Sequence, residues 1–240
     1  MNPLSGVLAE AWGLYRRFAA HFLAIAFVVY LVTAVIVAVL TVSASPTGYF
    51  LAAVLEFIAA FLVQAAMAKA VQDVRDGRAD LSIGGTLSAA APFVLPVAGA
   101  SLLAAIGIGI GLVILVVPGL ILLTYWSLIV PSIVVGESGA MASFGRSWRA
   151  ISGHFWQSFG IYALVFLIWV AFNVVLGLVL LAVPAAVRSF VSSVVAGTLL
   201  APFYALVVTL VYYRLAEAHA GEVPSPPAHG GFTAPPPARA

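Results

Sequence analysis

The chain has 240 residues, of which 64% are hydrophobic and 8% charged, with a formal net charge of +2. Soluble domains carry roughly 25% charged residues, so a water-surrounded fold is excluded: there is too little polar surface to cover so much apolar side chain. Cysteine is absent, which excludes disulfides and thiolate chemistry.

Residues 4–22 come first and are amphipathic. At about 100° per residue, Leu4, Val7, Leu8, Ala11, Trp12, Leu14, Tyr15, Phe18 and Phe22 share one face, and Glu10, Gly13, Arg16, Arg17 and His21 share the other. This pattern reads as a helix lying in the headgroup layer. The apolar run that follows is too long for the roughly 7–15-residue core of a signal peptide, so it is expected to be a retained first span.

A membrane helix needs about 20 apolar residues. Apart from Glu56, no ionisable residue occurs between Phe22 and Ala68. The first span is placed at residues 22–42. Ser45-Pro46-Thr47-Gly48 is a turn, and the second span covers 49–71 and ends at the polar stretch Asp73-Val74-Arg75-Asp76-Gly77-Arg78. Residues 81–136 carry no Asp, Glu, Lys, Arg or His and divide into a third span at 92–115, a hairpin at Pro118-Gly119 and a fourth span at 120–135. The Pro118-Gly119 boundary has nothing polar around it, so a re-entrant break there stays open. Residues 140–155 are again amphipathic: Met141, Phe144, Trp148, Ile151 and Phe155 face one way, and Ser143, Arg146, Ser147, Arg149 and His154 the other. Trp148 is expected in the acyl boundary. The fifth and sixth spans are placed at 155–183 and 190–215. Lipid-exposed backbone must satisfy its own hydrogen bonds. These runs do not alternate apolar and polar residues as barrel strands do, so the fold class is an all-α polytopic membrane bundle of about six helices. Residues 1–220 form this domain. Residues 221–240, with Pro224, Pro226, Pro227 and Pro235-Pro236-Pro237, are expected to be a disordered tail.

Internal similarity suggests three repeats of interfacial helix plus hairpin. Tyr15-Arg16-Arg17-Phe18-Ala19-Ala20-His21-Phe22 aligns without gaps to Trp148-Arg149-Ala150-Ile151-Ser152-Gly153-His154-Phe155, and residues 86–93 form a fainter third copy.

Pro118-Gly119-Leu120, Pro131-Ser132-Ile133-Val134-Val135, Glu137, Ala142-Ser143-Phe144-Gly145-Arg146-Ser147-Trp148, Gly153-His154-Phe155-Trp156 and Leu210-Val211-Tyr212-Tyr213-Arg214 form an ordered series. Over roughly residues 73–220 it resembles the membrane domain found with bacterial glycerophosphodiester phosphodiesterases and in stand-alone membrane proteins. It departs from that pattern where Gly136 separates Glu137 from the valines and where Leu215 and Ala216 follow Arg214. The resemblance implies a membrane protein, not the phosphodiesterase activity, which belongs to a separate soluble domain.

The candidate functional residues are few. Glu56 is an ionisable group inside a span, which insertion scales penalise and which is a functional candidate by default; a hydrogen-bonded structural Glu is the other reading. Asn173, at comparable depth, is its expected partner inside the bundle, and Gln64 and Asn173 are candidates for interhelical hydrogen bonds. Arg16, Arg17, Arg146, Arg149 and Trp148 are candidates for lipid headgroup contact, either specific or by generic attraction. His21 and His154 read as a metal pair or pH sensor, or as snorkelling interfacial groups. Gly107 and Gly111 form a close-packing stripe or a pore lining. No motif offers a metal site, so neither a metal nor another cofactor is expected. The leading expectation is a non-enzymatic protein of the bacterial inner membrane with membrane lipids, and unidentified membrane proteins, as partners and no nucleic acid. A small transporter using Glu56 is the alternative.

Nine of the ten Lys and Arg residues fall on one side of the six-span arrangement, only Arg188 on the other, so both termini are expected to be cytoplasmic. Single cysteines check this. Ser45→Cys and Ser189→Cys should label from outside intact cells, and Asp76→Cys only after permeabilisation; the reverse pattern would invert the topology.

Overall fold

The computed structural model describes residues 3–42, 45–74 and 81–222. Among them are nine helices and no strands: α1 (Val7–Arg17), α2 (Ala19–Thr41), α3 (Pro46–Val74), α4 (Ile83–Ile114), α5 (Val116–Tyr125), α6 (Ile129–Val134), α7 (Ala140–Ile151), α8 (Phe155–Val179) and α9 (Ala185–Glu222). Six segments are long and apolar enough to cross a bilayer: α2, α3, α4, α5 and α6 together over Val116–Val134, α8, and Val187–His219 within α9. The chain is thus an all-helical, multi-pass membrane bundle. The proline-rich tail, Asp76 and the basic residues Arg75, Arg78 and Arg239 lie outside the described residues.

Three local expectations are corrected. The faint third interfacial copy is not a separate helix, because α4 runs unbroken through Pro92 and Pro96. The hairpin before the fourth span is not made by Pro118-Gly119. The chain turns at Leu115, whose backbone is extended (φ −159°, ψ 142°), and Pro118 sits in the first turn of α5, where its missing N–H costs nothing. Gly119 serves a different purpose there: a Cβ on Gly111 would lie 3.0 Å from the Gly119 Cα, so two glycines let the legs of the hairpin touch backbone to backbone.

The third correction is a break halfway along the fourth span. α5 stops at Tyr125 and α6 starts at Ile129. A broken helix at membrane depth leaves polar backbone groups that lipid cannot satisfy. Ser147 of α7 fills the gap: its hydroxyl donates to the Tyr125 carbonyl (2.6 Å) and accepts from the Leu128 amide (3.1 Å). Ser143 and Ser147, expected on the outward polar face of α7, are instead buried with Ile151. The reason is size, since only a small polar side chain can reach into the break.

Burial is uneven along the bundle. Phe22, Ile25, Met67, Leu128, Ile133, Ile151, Leu206 and Leu215 are fully buried, all towards the end where α1 and α7 pack. At the opposite end Val39, Val42, Tyr49, Phe50, Val113, Ile114 and Val179 are exposed. In water that would be unsustainable; in a bilayer these side chains face hydrocarbon.

Ser147→Ala should lower stability by about 1–3 kcal/mol, the cost of a stranded buried amide and carbonyl. Ser143→Ala, whose hydroxyl donates within its own helix to Ala140 O (2.6 Å), should stay within about 1 kcal/mol. Unfolding of both variants in matched detergent compares them.

Candidate functional site

Two features stand out: a pair of short amphipathic helices packed on the bundle, and a cavity lined by the spans.

α1 packs on α9, and α7 packs on the two halves of the fourth span. On α1, Tyr15 donates to the Leu199 carbonyl (3.0 Å), while Glu10 pairs with Arg214 (2.6 Å). Residues five apart on α1 thus reach residues fifteen apart on α9 through their long side chains. Trp12 and Tyr15 also pack edge-on against Phe203 (6.2 and 6.0 Å between ring centres). Burial pushes the Tyr15 phenol above its ordinary pKa, so it remains a neutral donor. α7 repeats this geometry on the fourth span. Trp148 stacks on Tyr125 (3.9 Å), Phe144 meets Trp126 edge-on (5.2 Å), and Arg146 donates to the Gly136 carbonyl (2.8 Å) at the far end of α6. The aligned pair Tyr15 and Trp148 occupy matching places, each directed into the bundle. Met141 and Trp148 are exposed, at 73% and 43%, while Phe144 and Ile151 of the same apolar face pack against the bundle, and Trp148 is shared between Tyr125 and the surroundings. Arg16, Arg17 and Arg149 are exposed, Arg17 lying over the Phe18 ring.

His21 and His154, proposed as a pair, are not brought together. His154 meets His219 instead (ring centres 6.1 Å apart). The His21 Nε2 and His154 Nδ1 atoms are both buried without a hydrogen bond. No group of three or more His, Cys, Asp or Glu with metal-holding geometry occurs among the described residues. Gly107 and Gly111 serve close packing: a side chain at Gly107 would strike the Trp126 ring (2.6 Å).

The cavity is about 800 Å³ and is lined by all six spans. Its walls include Gln64, Ser101, Ser127, Tyr162, Asn173 and Tyr204, with no ionisable Asp, Glu, Lys, Arg or His. The broken fourth span supplies Trp126, Ser127, Ile129 and Val130, which meets the rule that irregular backbone at membrane depth lines a cavity or is buried in protein. Structure thus brings Gln64 and Asn173 to one site, and leaves Glu56 out. Glu56 does not turn inward to Asn173. It is exposed on α3 among exposed Val54, Phe57 and Ile58, because Ala52, Ala59 and Val63 take the inward face. Asn173 donates to Trp169 O of its own helix (2.9 Å). Ser147, Ser127 and Tyr162 were missed by sequence reasoning. The small-residue stripe Ser143, Ser147 was the available signal.

Residues 75–220 match the family described as a domain of unknown function, DUF7847. The chain belongs to that family. Nothing in this match ties it to the phosphodiesterase-associated membrane domain. No curated protein and no solved structure matches the chain. The matched region holds the hairpin, the break, α7 and the cavity walls from α4 onward, while Tyr30 of α2 and Ala60, Phe61, Val63 and Gln64 of α3 line the cavity from outside it.

An outward Glu56 is dispensable to the fold. Glu56→Leu should keep or raise the thermal midpoint, because it removes a carboxyl group from a lipid-facing surface where charge costs about 2.5–3.5 kcal/mol. A drop of several degrees would mean an interior role.

Proposed function

We propose that this protein is a non-enzymatic organiser of membrane lipid in the bacterial inner membrane, with both termini cytoplasmic. The observation that carries this is the pair of amphipathic helices α1 and α7 packed on the bundle. Each turns aromatic side chains into the bundle and keeps basic side chains at one end of it. Among the described residues, Arg16, Arg17, Lys69, Arg146, Arg149 and Arg214 lie at that end and Arg188 at the other. Such a collar suits anionic headgroups, with about 1 kcal/mol per Lys or Arg near the surface. Arg16 and Arg149 are the best placed, because Arg214 is paired with Glu10 and Arg146 with a carbonyl.

The exposure of Glu56 and its place outside the cavity lining weigh against proton-coupled transport through that residue. A wider kinship with the phosphodiesterase-associated membrane domain is supported by the position of the residues that resemble it. Gly119 packs against Gly111 beside the Leu115 turn, Pro131 and Ser132 lie in the buried α6, and Arg146-Ser147-Trp148 seat α7. Shared architecture of that kind carries no phosphodiesterase chemistry.

The test is lipid analysis of the purified protein. Wild type extracted from a membrane containing phosphatidylglycerol should retain anionic lipid above its bulk share. Arg16→Gln combined with Arg149→Gln should lose most of that enrichment while unfolding at an unchanged temperature. Equal retention by both proteins would refute the reading.

A further inference from the structure

The central cavity has the attributes of a ligand site that the collar does not explain. Its volume of about 800 Å³ falls within the roughly 300–1,000 Å³ of small-molecule sites. Tyr162 lines it, is only 7% exposed, and its hydroxyl meets no well-directed hydrogen bond although Ser127 lies beside it. A buried hydroxyl in hydrocarbon surroundings ordinarily finds a partner. Asn173, at the other end of the cavity about 16 Å along α8, already donates to a carbonyl of its own helix. The unsatisfied group is therefore at the Tyr162 end.

Access is sideways. Phe166 and Trp169 line the cavity and are at least half exposed, and only Ser158, Tyr162 and Val165 of α8 are buried. The α8 wall is therefore where a molecule dissolved in the bilayer can reach the space from the side.

We propose that this cavity binds a single-chain, uncharged amphiphile drawn from the bilayer, with its polar end hydrogen-bonded to the Tyr162 hydroxyl and its chain along α8. A charged headgroup is excluded because no ionisable Asp, Glu, Lys, Arg or His lines the space to compensate it. The volume accommodates one chain with a small polar group, not a two-chain phospholipid. This site is independent of the anionic-lipid collar, and either can fail without the other.

The probe is a monoacylglycerol carrying a diazirine in its acyl chain, reconstituted with the full-length protein and photolysed, with adducts mapped by mass spectrometry. Adducts should fall on residues 123–130, 162–169 and 196–204. Unlabelled monoacylglycerol should displace the probe; hexadecyltrimethylammonium at the same mole fraction should not. Ala196→Phe, which fills the cavity, should cut cavity labelling at least about fivefold, and Tyr162→Phe should weaken displacement roughly three- to tenfold, as expected for one hydrogen bond. Should Ala196→Phe not fold, Tyr162→Phe alone decides. Labelling confined to outward-facing residues, labelling indifferent to Tyr162→Phe, or equal displacement by the charged competitor would overturn the proposal, since each indicates bulk acyl chains and not a site.

Discussion

Every polar backbone group inside a bilayer must be satisfied by protein, and in this fold one hydroxyl carries that constraint. Ser147 bridges the Tyr125 carbonyl and the Leu128 amide, replacing the contact that a continuous helix would make by itself. Without it, the fourth span could not break at its midpoint. With it, the break can turn Trp126 and Ser127 to the cavity, and α7 is fixed in place across the span. The seat of an amphipathic helix and the shape of the central cavity therefore depend on the same two hydrogen bonds.

The same logic explains why α1 and α7 are alike. Each is amphipathic, each ends just before a membrane helix, and each packs on a neighbour with side chains of one face against the bundle and polar side chains reaching groups further along it. The anchors differ in chemistry. α1 uses a hydrogen bond from Tyr15 and an ion pair from Glu10, whereas α7 uses a buried serine, a stacked tryptophan and an arginine on a carbonyl. An exposed ion pair such as Glu10–Arg214 contributes little stability; its value here is in fixing which way α1 lies. What repeats is a geometry, and the side chains that achieve it were free to differ.

Polar side chains inside the spans divide by position and not by type. Glu56 is the most expensive of them, yet it lies on the outer surface of α3, where the small inward-facing residues Ala52 and Ala59 leave it. Gln64, Asn173, Ser127 and Tyr162 are cheaper groups, and they converge on one uncharged space. A cavity of that composition suits a ligand that is itself mostly hydrocarbon.

The sequence by itself determined the solvent, the helical class, the six spans and the side on which basic residues gather, because hydrophobic length and charge position are local properties that a bilayer reads directly. It also marked the two amphipathic helices and their alignment. It could not place Leu115 as the turn in preference to Pro118-Gly119, because that choice rests on the contact of Gly111 with Gly119, eight residues apart. Nor could it show that Ser147 faces inward, that Glu56 faces outward, or that His154 meets His219 and not His21. An apolar helix surrounded by lipid has no hydrophobic face to declare its orientation: α2, α3, α4 and α8 are apolar nearly all round. Which side of each turns inward is set by small residues, close packing and stranded hydrogen bonds, and these are resolved only when the helices are assembled.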